Sequence, residues 1–240
     1  MNKAKIVFYC KNCGNEHAKW HGQCKYCKEW NSLKEKKVSS LKIKSQTEFG
    51  NYSKKENIPL KISEIDSEDE IRLVVKDDEW NRVLGGGLVL GSVCLISGEP
   101  GIGKSTLLLQ TSMKFNKKVL YVSGEESQRQ IKVRSERIGK AIGQTFILSE
   151  TELEAIFEQI NEINPEIVII DSIQTLHSKM IDGSPGSVTQ IRDCSSELIK
   201  YAKSTGSAVI LIGHLTKDGS IAGPKVLEHM VDVVISFEGD

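Results

Sequence analysis

GEPGIGKST, residues 98–106, follows the apolar run Val93-Cys94-Leu95-Ile96-Ser97 and opens into a leucine-rich segment that begins at Lys104. Strand, glycine-rich turn and helix in that order are the context that the pattern G-x-x-x-x-G-K-[ST] requires. Gly98, Gly101 and Gly103 let the backbone turn sharply and aim successive N–H groups at phosphate oxygens, where the start of the next helix adds its positive dipole end. The stretch therefore predicts a nucleotide-phosphate cradle made of Gly98, Glu99, Pro100, Gly101, Ile102, Gly103, Lys104, Ser105 and Thr106. In it Lys104 reaches the β- and γ-phosphates of ATP and the Ser105 hydroxyl sits on Mg²⁺.

Downstream, Lys118 to Ser123 (KVLYVS) reads as a second strand that delivers Gly124-Glu125-Glu126-Ser127 at its carboxyl end. Ligands of open α/β sheets sit at such ends, so these acids face the nucleotide crevice. A helix over about Ser127 to Lys140 and a third strand, Gln144 to Leu148, follow. Thr151 with Glu154 three residues on has capping-box spacing and predicts a helix running to about Asn161. Glu166-Ile167-Val168-Ile169-Ile170-Asp171 is an apolar strand ending in an acid, 66 residues after Ser105. With a βα pattern in between, this is the Walker-B arrangement, in which Asp171 holds Mg²⁺ directly or through water.

Residues 177–189 are polar and glycine-containing and are expected to form a mobile loop. An amphipathic helix, about Val188 to Thr205, leads into the strand Ala208 to Gly213, with His214 at its ligand-side end. Residues 215–225 form a second glycine-rich loop and Val231 to Phe237 a final strand. Upstream, Glu79 to Leu84 reads as a short helix stopped by Gly85-Gly86-Gly87, and Pro59 to Asp66 and Arg72 to Val75 as edge strands or docking segments. The β-α alternation predicts an α/β fold with a mainly parallel sheet and helices on both faces.

The amino-terminal segment, Phe8 to Leu33, carries Cys10-x2-Cys13 and Cys24-x2-Cys27, ten residues apart. Two such knuckles supply four thiolates for a closed tetrahedral zinc site, and zinc would provide the folding free energy that so small a unit lacks. A redox dithiol pair or an iron–sulfur site are the alternatives. His17 and His21 lie between the knuckles and are read as surface or supporting residues, because four cysteines already complete the shell. The domains predicted are therefore a C4 zinc ribbon over 1–33, a Lys-, Ser-, Asn- and Glu-rich linker over 34–57, and the ATP-binding domain over 58–240. Cys94 and Cys194 stand alone and are read as buried small hydrophobes.

With 39% hydrophobic and 27% charged residues, the 240-residue chain has ordinary soluble composition. No apolar run approaches the roughly 20 residues that span a bilayer, and the amino terminus is too short in apolar residues for a secretion signal. A cytoplasmic protein without membrane contact is expected. The net charge of zero hides a division: residues 1–61 hold 14 Lys against 5 Glu, and the remaining 179 hold 18 Lys and Arg against 27 Asp and Glu. Such asymmetry fits a basic arm that contacts an anionic partner, or a solubilising leader.

The cysteine pairs followed by VLGGGLVLGS, GEPGIGKST, YVSGEES, IVIIDSIQTL and IGHLTKDGSIAGPKVLEHMVDVVISFEGD resemble, motif by motif, the bacterial RadA (Sms) family of DNA-repair ATPases. The resemblance implies a RecA-like P-loop core that binds single-stranded or branched DNA, hydrolyses ATP and drives branch migration of recombination intermediates. It also implies assembly as a homo-oligomeric ring and work alongside recombinase or helicase proteins. By the resemblance Glu125 is the general base, with Glu126 as the second choice, and His214 senses the γ-phosphate. Lys179, Lys217 and Lys225 fall in loops that contact DNA in RecA-type proteins. The readings set against this are a replicative-helicase-like unwinding ATPase and a non-hydrolysing ATP-dependent DNA-binding or scaffold protein. Family members continue with a KNRFG motif and a Lon-protease-like domain, which these 240 residues do not include, so the ATPase domain is expected to be incomplete at its carboxyl end.

Overall fold

The computed structural model describes residues 5–10, 16–17, 19–25, 28–38, 61–64, 72–214 and 227–239. Cys13, Cys27, Lys217 and Lys225 lie outside these residues, as do most of the expected linker and the expected loop 215–225. The chain divides into two compact units, Met1–Asn51 and Tyr52–Asp240.

In the first unit, β1 (Lys5–Cys10) pairs antiparallel with β2 (Glu16–His17) and with β3 (Leu33–Val38), in the order β2-β1-β3. Between β2 and β3 the backbone makes a tight knuckle around Cys24. Lys28 N donates to Cys24 O at 2.9 Å, and Cys24 N donates to Glu29 O at 3.0 Å. Lys28 and Asn31 take the left-handed conformation, φ 59° and 53°, that a turn this sharp needs. Cys24, Leu33 and His17 are buried.

The second unit is built on a six-stranded sheet whose strand pairs are all parallel. Its strands are β6 (Val93–Gly98), β7 (Lys118–Ser123), β8 (Gln144–Ser149), β9 (Ile167–Asp171), β10 (Ala208–His214) and β11 (Val233–Phe237), in the order β11-β6-β10-β9-β7-β8. The chain moves outward from β6 to β7 and β8, then returns to fill the gap with β9 and β10. Four helices connect the strands: α2 (Lys104–Lys114), α3 (Gln128–Ile138), α4 (Leu153–Ile163) and α5 (Val188–Thr205). Successive strand side chains point to opposite faces. On one face Cys94, Ile96, Val119, Tyr121, Ile167, Ile169, Ile210 and Ile212 pack with Leu108, Leu109 and Met113 of α2 and Ile131 of α3. The alternate residues Val93, Leu95, Leu120, Val122, Val168, Ile170, Val209 and Leu211 are equally buried, so the second face is covered too. There Phe157 of α4 meets Tyr201 of α5 edge to face, ring centroids 5.9 Å apart. This is the α/β architecture expected. Cys94 and Cys194 are buried, and desolvation pushes both thiols up to about 12, so they act as core hydrophobes.

Ahead of the sheet, α1 (Asp78–Val83) is capped by Asp77, whose carboxylate accepts from Trp80 N. It lies in the chain between β4 (Arg72–Leu73) and β5 (Leu88–Val89), which pair antiparallel. Gly87, at φ 133°, brings the backbone so close that an added Cβ would lie 2.8 Å from Leu73 O. Ile62–Glu64 is a single 3-10 turn, where the sequence suggested an edge strand or docking segment.

Two expectations change. Thr151 does not cap α4: the helix begins at Leu153 behind Glu152, with no side-chain cap. Glu150 instead accepts from the Thr151 and Glu152 N–H groups, and Leu153 N donates to His177 O. The short parallel bridge of Glu152 to His177 thus overrides the local capping signal. Of residues 177–189, expected to form a mobile loop, 188 and 189 begin α5, and the stretch before them is tethered by the buried Gln190. Its amide donates to the carbonyls of Ser178, Ile181 and Gly183 and accepts from Ser178 N. One helix residue therefore stands in for the backbone partners a loop otherwise takes from water.

Among the described residues no helix is long and apolar enough to cross a membrane.

Candidate nucleotide site

Parallel register brings the chemistry together. Gly98, the last residue of β6, is opposite His214 of β10 and Phe237 of β11, and Ser123 of β7 is opposite Asp171 of β9. The carboxyl ends of β6, β7, β9 and β10 thus open onto one crevice beside the point where the strand order reverses, the standard ligand position of an open α/β sheet. An added Cβ at Gly98 would lie 2.4 Å from Phe237 O, so only glycine lets β11 approach here. Gly101 and Gly103 have φ of 81° and 109°, and Gly103 is the N-cap of α2. Glu99, Pro100 and Gly101 are exposed and Ile102 and Gly103 half-buried, leaving the loop open to solvent.

Lys104 is 2% exposed, and its Nζ donates to the carbonyls of Gly98 and Glu99, both at 2.7 Å. Burial pushes its pKa below the ordinary lysine value, while the negative charges of Asp171 and Glu125 oppose that shift. A nearly dry ammonium facing two carboxylates sits next to an open glycine loop.

Asp171 is 3% exposed. Its Oδ2 accepts from the Tyr121 hydroxyl at 2.6 Å, whereas its Oδ1 is buried without a hydrogen-bond partner among the described residues. A buried carboxylate oxygen left unpaired is costly unless another ligand completes it. A divalent cation, or a water on it, suits that oxygen. Tyr121 is fully buried, and desolvation followed by the Asp171 charge drives its pKa strongly upward, so it stays a donor. The same hydroxyl lies 3.3 Å from Ser105 O, joining β7, β9 and the first turn of α2.

Glu125 and Glu126, adjacent residues just beyond β7, have different surroundings. Glu126 forms an ion pair with Arg134 of α3 at 2.9 Å. Glu125 Oε1 accepts from Ser172 Oγ at 2.9 Å and faces His214 Nε2 at 3.2 Å. The neighbouring acid is tied to a guanidinium and turned toward α3, while Glu125 stays near Lys104 and Asp171. Gly124 makes this possible: its N–H donates to Asp171 O, and an added Cβ would lie 2.0 Å from Thr175 Oγ1. The Asp171–Ser172 peptide bond is cis. His214 leaves Nδ1 buried without a partner among the described residues, and its carbonyl accepts from Gln174 Nε2. The cluster can hold a triphosphate, a cation and a water poised for proton removal.

Lys179 lies on the tethered loop with its ammonium 2.6 Å from Glu152, and that carboxylate raises its pKa. In the first unit, Cys24 Sγ is buried 3.4 Å from His17 Nε2. His17 is thus 7% exposed, in the supporting rather than the surface position of the two expected: the β1–β2 pairing folds its ring onto the knuckle. Cys10 ends β1 opposite Leu33. A buried sulfur beside an imidazole fits a soft divalent metal with an imidazole next to it. Among the described residues no group of three metal-ligating side chains occurs.

Sequence reasoning missed Tyr121, Ser172, Arg134 and Gln174. Only Tyr121 carried a signal, a hydroxyl in the middle of an apolar strand that must find a partner when buried.

Comparison with known proteins agrees with this fold. A family described as AAA domain matches residues 59–220, and one described as rubredoxin metal binding domain matches residues 8–35. DNA repair protein RadA of Halalkalibacterium halodurans is 47% identical over 243 residues, covering 100% of this chain and 53% of the relative. Those of Bacillus subtilis and Campylobacter jejuni are each 46% identical over 243 residues, again covering 100% of this chain, and 53% and 54% of the relatives. The chain therefore spans about half the length of the curated relatives it matches. Among solved structures, the KaiC-like protein PH0186 of Pyrococcus horikoshii superposes with a TM-score of 0.54 at 20% identity, over 70% of this chain and 81% of that one. That likeness concerns the fold alone.

Proposed function

The chain belongs to the AAA-domain family and, within it, to the RadA group, and from that premise we propose that it is an ATPase of recombinational DNA repair, stimulated by single-stranded DNA. The observation that carries the reading is the meeting of Lys104, Glu125, Asp171 and His214 at the carboxyl ends of neighbouring strands, beside a glycine loop.

The glycine loop, residues 98–106, binds the phosphates through its N–H groups, and Lys104 leaves the Gly98 and Glu99 carbonyls to pair with the β- and γ-oxygens. Ser105 and Asp171 Oδ1 hold Mg²⁺, which when bound neutralises charge that develops on the phosphate oxygens. Tyr121 keeps Asp171 oriented by occupying its other oxygen. Glu125 accepts the proton of the attacking water, with Ser172 and His214 fixing the carboxylate. His214 reports the γ-phosphate to the residues that follow it, and Gln174 braces that strand end. DNA phosphates are met by Lys179, Lys217 and Lys225, for which Lys179 must leave Glu152. Cys10, Cys13, Cys24 and Cys27 hold zinc in the first unit. Ring assembly, branch migration and cooperation with recombinase or helicase proteins belong to the same reading.

An ATPase assay with and without single-stranded DNA tests it. Turnover is expected to rise with DNA and to fall at least about 100-fold in Glu125→Gln, with nucleotide binding retained. Equal turnover in that variant would remove Glu125 as the base. No turnover by the wild-type chain under any condition would favour an ATP-dependent DNA-binding protein.

A further inference from the structure

Two of the chain's three tryptophans are left in water. Trp20 and Trp30 are 57% and 68% exposed in the first unit, whereas Trp80 is 7% exposed in the second. The exposed pair converges on one point. A Cβ built at Gly22 would lie 3.5 Å from the Trp30 ring and 4.0 Å from the Trp20 ring, so both indoles border a patch that the missing side chain keeps open.

The patch has a fixed backbone. Gln23 pairs with Trp30 in an antiparallel bridge, Asn31 N donates to Gly22 O at 2.8 Å, and the Cys24 knuckle lies between them. Its charge is one-sided. Lys19, Lys25 and Lys28 are exposed around it, and Glu29 is the only carboxylate among the described residues of 19–31. Flat aromatic faces flanked by cations suit a ligand that offers stackable rings and a phosphate backbone together. Duplex DNA conceals its base faces, and a protein surface offers no series of them.

We propose that Trp20 and Trp30 form a stacking platform for bases of single-stranded DNA, with Lys19, Lys25 and Lys28 taking the phosphates. The inference rests on the DNA-binding reading above and adds to it a contact surface in the first unit, separate from the lysines assigned there. Stacking is sequence-tolerant because every base has a π-face, so the platform binds without base preference.

Trp80 is shielded from ligands in solution, so quenching of the intrinsic emission by an added oligonucleotide reports chiefly on Trp20 and Trp30. The full chain, free of nucleotide, is titrated with a short fluorescein-labelled oligothymidylate, and both tryptophan emission and label anisotropy are followed. Tryptophan quenching that tracks the anisotropy is expected. Trp20→Ala and Trp30→Ala should each weaken binding about tenfold, with zinc content and far-UV circular dichroism unchanged, while the phenylalanine variants keep most of the affinity. If an alanine variant fails to fold, Lys25→Gln and Lys28→Gln leave the rings intact and should each lower the salt slope of binding by about one. Oligonucleotide binding with unaltered emission and equal affinity in folded alanine variants overturns the platform while the DNA-binding reading stands. Absence of any oligonucleotide binding by the wild-type chain overturns both. Tighter binding of an acidic peptide than of the oligonucleotide, with the same quenching, overturns the choice of partner.

Discussion

Tyr121→Phe removes a single oxygen atom from the centre of the candidate nucleotide site. The ring is fully buried, so phenylalanine refills the space and no cavity opens. What is lost is a 2.6 Å hydrogen bond to Asp171, a carboxylate whose other oxygen already has no partner among the described residues. A hydrogen bond to a charged group contributes about 1.5–3 kcal/mol, and an unpaired buried acceptor costs a similar amount. The substitution should therefore destabilise the second unit by about 2 kcal/mol, a fall of roughly 4–8 °C in its Tm. Asp171 would also lose its orientation toward the cation, and the Mg²⁺ concentration for half-maximal nucleotide binding should rise about tenfold, equivalent to ~1.4 kcal/mol. Thermal unfolding without ligand measures the first effect, and titration of Mg²⁺ against a fluorescent ATP analogue measures the second. Stability within ~0.5 kcal/mol of wild type would refute the proposed importance of the bond. A lowered Tm with an unchanged Mg²⁺ requirement would reduce Tyr121 to a packing residue.

Gln190→Ala deletes an amide that serves four backbone groups of residues 178–183. A stability loss of about 2–3 kcal/mol and faster proteolytic cleavage within 178–186 are expected, and unchanged cleavage would show the tether to be dispensable. Asp77 both caps α1 and pairs with Lys114, and its pKa is lowered chiefly by the hydrogen bond from Lys114. A depressed folded-state pKa contributes stability that is present above the unfolded value of about 3.9 and is lost as pH falls through the folded value. Asp77→Ala should thus cost about 1 kcal/mol in urea unfolding at pH 7, and the difference from wild type should shrink below about pH 4. For the first unit, metal analysis should find about one zinc per chain, and chelation should abolish its folded signal; a metal-free unit that stays folded would refute the zinc reading.

Much of the second unit is legible because its signals are local. The glycine spacing of 98–106, the apolar runs at 118–123 and 167–171, and the amphipathic period of 188–205 each report the conformation of their own backbone. Where a distant contact competes, local reading falls short. Thr151 has cap spacing, yet the bridge from Glu152 to His177 sets where α4 begins. Glycine and polar residues at 177–189 suggest a mobile loop, yet Gln190 of the helix that follows hydrogen-bonds the backbone of Ser178, Ile181 and Gly183. His17 lacks any pattern of its own, and only strand pairing brings it to Cys24.

The sequence alone determined the α/β class, the phosphate loop with Lys104 and Ser105, the strand-end acid Asp171 and the paired cysteines. Each of these is written in residue type and spacing along one short segment. The strand order β11-β6-β10-β9-β7-β8 was decided only in three dimensions, and with it the meeting of Gly98, His214, Ser123 and Asp171. So were the different surroundings of two adjacent acids: Arg134 pairs with Glu126, and Ser172 and His214 lie against Glu125. The physical reason is that a charge or hydroxyl is defined by what surrounds it after burial. Those surroundings come from segments far apart in the chain, whose pairing energies no local pattern contains.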